Sequence, residues 1–118
     1  MKTKIFCDSA DFKTIKKLNN NPLVAGFTTN PSLMRLAGAK NYKNYSLKIL
    51  SVCKKKPISF EVFGDNYGQM LKQANIINSW SKNIYVKIPV VNSKGLFSGK
   101  VINVLSKKGV KLNITAVY

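Results

Sequence analysis

The chain has 118 residues, 45% of them apolar, which fits one folded domain with a sizeable core and excludes a disordered chain. Its formal charge is +16, from 20 basic and 4 acidic residues, and it has no histidine. The missing histidine excludes Ser-His-Asp and Cys-His catalysis and every histidine metal site. Arginine, the usual base reader, occurs once, at Arg35, and the lysines are scattered, as in Lys16-Lys17, Lys54-Lys55-Lys56 and Lys107-Lys108. Such charge predicts weak, salt-sensitive adhesion to polyanions and no specific nucleic-acid partner. Cys7 and Cys53 form no CxxC and read as free thiols in a reducing compartment. Met1-Lys2-Thr3-Lys4 leads into no secretory h-region, and no run approaches the roughly 18 apolar residues that would cross a bilayer. A cytoplasmic protein with no membrane partner is expected.

Five short runs read as strands: residues 4–8, 24–29, 58–63, 84–91 and 110–117. Most are almost continuously apolar, as in strands covered on both faces. After the first strand, residues 11–18 carry apolar side chains at helical spacing, with Asp11 suited to the helix N-terminus. Residues 31–37 read as a helix opened by Pro31. Residues 41–54 and 67–81 are further helices, and 98–108 is another, stopped by Gly109. The order is β-α-β-α-β-α-β-α-β. Repeated βα units imply parallel strands with right-handed crossovers, in a doubly wound sheet or a (β/α)₈ barrel. No Gly-rich phosphate loop follows the first strand, which disfavours dinucleotide binding. Residues 1–118 read as a single domain.

The fourth strand, Ile84-Tyr85-Val86-Lys87-Ile88-Pro89-Val90-Val91, holds a lysine in an apolar run. A buried ammonium is costly unless it is paired or loses its proton, and a neutral lysine is a nucleophile for carbonyl carbon. The plain alternative is a lysine on an edge strand with its amine in water. Polar residues near the ends of the other strands favour the nucleophile. The first strand ends on Asp8, the second on Thr28, Thr29 and Asn30; the third carries Glu61 and the fifth Asn113 and Thr115. In parallel α/β proteins these ends share the face where active sites lie. A Schiff-base lysine also needs a carboxylate to move protons, and Asp8 and Glu61 are the candidates. Asparagine and threonine side chains suit the hydroxyls of a sugar.

The pattern is familiar. Gly26-Phe27-Thr28-Thr29-Asn30-Pro31-Ser32 resembles the G-x-TTNPS signature of the transaldolase family. Phe6-Cys7-Asp8-Ser9-Ala10, Ser59-Phe60-Glu61-Val62, Val86-Lys87-Ile88-Pro89 and Leu112-Asn113-Ile114-Thr115-Ala116-Val117-Tyr118 resemble its first, third, fourth and fifth strands. The likeness is collinear over the whole chain and strongest to the small transaldolases, a group that includes fructose-6-phosphate aldolases. It implies a parallel (β/α) barrel of TIM type, here truncated to about five βα units, and a class I aldolase needing no cofactor. In that chemistry a dihydroxyacetone unit passes between sugar phosphates of the pentose phosphate pathway. Lys87 would form the Schiff base and Asp8 would assist cleavage as acid/base. Glu61 with Thr115 would activate a water. Asn30, Thr28, Thr29 and Asn113 would bind substrate.

The family continues through strands six to eight, with a sixth-strand serine and a phosphate-gripping arginine that have no counterpart here. A fragment, a natural short form and a non-catalytic remnant that self-associates all stay open on the sequence. An open sheet would leave Phe60, Val62 and Val86 exposed and favour self-association.

Overall fold

A computed structural model describes residues 5–62, 67–91 and 95–117. The elements are β1 (Ile5–Asp8), α1 (Phe12–Leu18), β2 (Val24–Thr28), α2 (Pro31–Leu36), α3 (Tyr42–Val52), β3 (Ile58–Glu61), α4 (Tyr67–Asn78), β4 (Ile84–Val91), α5 (Gly95–Lys107) and β5 (Leu112–Val117). The strands hydrogen-bond in chain order, β1-β2-β3-β4-β5. The β1–β2, β2–β3 and β4–β5 pairs are parallel. This is the expected α/β class, parallel βα units of TIM-barrel type. Between β2 and β3 the chain forms two helices where a strict βα alternation has one. The strand limits expected at Lys4 and Phe63 lie outside the described residues.

Helix ends follow local chemistry. Asp11 caps α1, its carboxylate accepting from the Thr14 N–H at 3.1 Å and the Thr14 hydroxyl at 2.6 Å. These two hydrogen bonds hold the Asp11 carboxyl below its usual range. Asn41 caps α3 through the Asn44 N–H at 2.9 Å. Gly109, with φ of 80°, ends α5 as expected: its N–H donates to the Ser106 carbonyl and that of Val110 to Leu105. Such a left-handed stop is inexpensive only for glycine. Gly38 (φ 92°) ends α2 with the same pair of bonds and so separates α2 from α3.

The chain divides into two compact units, Met1–Ser59 and Phe60–Tyr118. In the first, Ile15 of α1, Phe27 of β2, Met34 of α2, Ile49 of α3 and Ile58 of β3 are buried. Tyr45 donates to the Ala10 carbonyl at 2.7 Å, and the Asn19 amide to the Val52 carbonyl at 2.8 Å. The Lys48 amine lies 4.6 Å from the Phe12 ring centroid, joining α3 to α1.

In the second unit Ile84, Val86 and Ile88 are buried, with α4 and α5 packed against β4, while Tyr85 and Lys87 between them are half-buried. The run reads as continuously apolar, but its burial alternates with the pleat. Phe60 and Trp80 meet edge to face, centroids 6.0 Å apart. The expectation that Phe60, Val62 and Val86 would be exposed is therefore overturned. All three are at most 1% exposed, because they lie on the packed side of their strands. The exposed strand residues are others: Ile5 at 56% and Phe6 at 59% on β1, and Ile114 at 51% on β5. These residues lie on β1 and β5, the first and last strands of the order, which are not covered on both faces as the apolar runs suggested.

Candidate active site

In the first unit the parallel register sets Asp8, the last residue of β1, beside Thr28, the last of β2. Register partners share a face, and the Thr28 hydroxyl donates to Asp8 Oδ1 at 2.8 Å. The Ser9 N–H donates to the Thr28 carbonyl at 3.0 Å, continuing the ladder past the carboxylate. Thr29 behaves differently. It is buried, and both its N–H (3.1 Å) and its hydroxyl (2.6 Å) donate to the Ser59 carbonyl. Asn30 is the N-cap of α2, its Oδ1 accepting from the Leu33 N–H at 2.9 Å with Pro31 at the first helical position. That cap fixes the half-buried Asn30 side chain in one orientation.

In the second unit Glu61 ends β3 and Lys87 lies within β4. The Val62 N–H donates to the Lys87 carbonyl at 3.1 Å and ties the end of β3 to β4 at this level. Burial pushes the Glu61 carboxyl above its usual range, and the nearby Lys87 ammonium pulls the other way. So the lysine in the apolar run has a carboxylate within electrostatic reach on the half-buried face of its strand. Register places Lys87 beside Asn113 and Pro89 beside Thr115 on β5.

The structure thus brings Asp8 together with Thr28 in one unit, and Lys87 together with Glu61 and Asn113 in the other. Asn30 follows β2 directly; Thr29 spends its hydroxyl on the backbone. Two features escaped the sequence. The Ser59 carbonyl receives both Thr29 donors; its only sequence signal is its place two residues before Glu61, on the same side of β3. Lys56, one of the run Lys54-Lys55-Lys56, is half-buried and donates to the carbonyls of Asn21 (2.6 Å) and Val24.

A family model described as Transaldolase/Fructose-6-phosphate aldolase matches residues 5–118, and the chain belongs to that family. It is 36% identical over 115 residues to a probable transaldolase of Dehalococcoides mccartyi, covering 98% of this chain and 51% of that protein. A probable transaldolase of Clostridium botulinum is 37% identical over 115 residues, and one of Methanococcus vannielii 36% over 115, each with the same coverage of 98% and 51%. The chain spans about half the length of the curated relatives it matches.

Proposed function

We propose that the chain carries the Schiff-base chemistry of a cofactor-free class I aldolase, transferring a dihydroxyacetone unit between sugar phosphates as transaldolases of the pentose phosphate pathway do. The observation that carries the reading is Lys87 on the half-buried face of β4 with the Glu61 carboxyl close by, in a chain of this family. The Lys87 amine attacks the ketone carbon of a ketose phosphate. The resulting carbinolamine loses water to give an iminium ion, with Glu61 and Thr115 handling that water. Asp8 takes the C4 hydroxyl proton as the C3–C4 bond breaks, and the electron pair remains as an enamine on the lysine. An aldose phosphate leaves. A second aldose phosphate then accepts the three-carbon unit, Asp8 returns the proton, and hydrolysis frees Lys87. Asn30 and Asn113 orient the bound unit.

The reading is tested by incubating the protein with dihydroxyacetone or a ketose phosphate, reducing with borohydride and mapping the adduct by mass spectrometry. An adduct on Lys87 is expected; one on a different lysine sinks the assignment. No helix among the described residues is long and apolar enough to cross a membrane. We also propose that this chain self-associates through copies of itself, because Ile5, Phe6 and Leu23 are each more than half exposed where β1 meets β2. Light scattering over a dilution series reads this directly, and a stable monomer at micromolar concentration refutes it.

A further inference from the structure

We propose that Thr28 is a positioning residue, holding the Asp8 carboxylate in the orientation for proton transfer and acting on the reaction through Asp8, not by touching substrate. This rests on the reading above, in which Asp8 moves the proton. The geometry is specific. Asp8 and Thr28 are register partners on adjacent parallel strands, and the Thr28 hydroxyl meets Asp8 Oδ1 at 2.8 Å. A hydroxyl has one proton to donate. Thr28 gives it to the carboxylate, in a bond strengthened by the acceptor's charge, so it cannot also give it to a sugar hydroxyl. Threonine is stiff at χ1, which makes this donor a fixed one. Asp8 itself is exposed, and the Thr28 hydroxyl is its one hydrogen-bond partner among the described residues. Without that bond an exposed aspartate side chain is free to change rotamer. The other oxygen, Oδ2, is left to act as the base.

Thr28→Val keeps the shape and removes the donor, while Thr28→Ser keeps the donor. Both are measured in ketose phosphate cleavage, with thermal unfolding alongside to confirm folding. Thr28→Val is expected to lower kcat about 10- to 100-fold, the scale of a small misplacement of a reacting group, with KM within about twofold. Thr28→Ser is expected to recover most of the rate. A raised KM at unchanged kcat would make Thr28 a substrate ligand and overturn the proposal. A second readout does not depend on activity: three-bond NMR couplings to Asp8 Cγ report its χ1. One rotamer is expected in the parent chain and Thr28→Ser, and averaging in Thr28→Val. An unchanged rotamer in Thr28→Val overturns the positioning role. Averaging there, in a protein that forms no lysine adduct, upholds the positioning and sinks only the aldolase reading.

Discussion

Replacing Gly26 by alanine tests how the strand below the threonine pair is packed. An added Cβ would lie 2.5 Å from the Pro57 carbonyl oxygen, 2.8 Å from Phe6 Cε2 and 3.2 Å from Phe6 Cδ2. The Phe6 ring is 59% exposed and swings aside at little cost. The carbonyl does not. It accepts from the Phe27 N–H at 2.9 Å, the first bond of the β2–β3 ladder. An ordinary carbon–oxygen contact is about 3.3 Å, so Pro57 must retreat by roughly 0.8 Å, which stretches that bond beyond useful length. Overpacking costs about 1–3 kcal/mol and the weakened bond about 1 more, against a gain of about 0.5–1 from replacing glycine in a strand. The net loss expected is about 1–3 kcal/mol. Urea unfolding measures it, and exchange of the Phe27 amide localises it. A Gly26→Ala chain as stable as the parent within about 0.5 kcal/mol, with equal Phe27 protection, refutes the packing argument.

Burial pushes the Cys53 thiol up to about 11, and its Sγ lies against the Lys56 carbonyl at 3.6 Å. Roughly one molecule in a thousand then carries the thiolate at pH 8, so a thiol reagent should label Cys7 first and Cys53 only on unfolding; equal rates would contradict this. Lys56→Met removes a charged donor from two backbone carbonyls and should cost about 1.5–3 kcal/mol, against less than about 0.5 for exposed Lys55→Met; equal effects in urea unfolding would refute it. The Glu61 carboxyl is raised above its ordinary 4.5, so the stability it contributes is present below that pH and is lost as pH rises through its folded value. Relative to Glu61→Gln, which does not titrate there, the parent chain should therefore lose melting temperature between pH 4 and pH 7; a constant difference would show that ionisation is not opposed by burial.

Element order was legible because punctuation and period agree in this chain. Pro31 opens α2 and Gly109 closes α5, and the apolar runs of residues 84–91 and 24–29 left little choice but strand. Burial was less legible. A run of β-branched residues looks the same whether one face or two are covered, so Lys87 read as buried when it sits on the less covered side of β4. The same ambiguity put Phe60, Val62 and Val86 on the wrong face. At the candidate site, the residue types were readable but their partners were not. Thr28 and Thr29 are adjacent and identical in chemistry. Alternation sends one hydroxyl to Asp8 and the other to a buried carbonyl, and only register decides which.

The lysines make the same point about charge. Four of them do three different jobs according to where their strand or helix leaves them. Lys48 lies over the Phe12 ring between two helices. Lys56 and Lys111 each come just before a strand, β3 and β5, and each reaches back to the loop before the preceding strand. Lys56 donates to the Asn21 and Val24 carbonyls ahead of and at the start of β2, and Lys111 to the Lys82 carbonyl just ahead of β4. Such carbonyls at strand beginnings need a donor, and a long flexible cation supplies one without needing a carboxylate partner, which a chain with 4 acids can rarely provide. Lys87 alone among these sits inside a strand and has an acid close by. A lysine-rich composition thus conceals one reactive candidate among structural ones. What separates it is position along the strand: amines at strand beginnings serve the backbone, and the lysine within β4 lies within electrostatic reach of an acid.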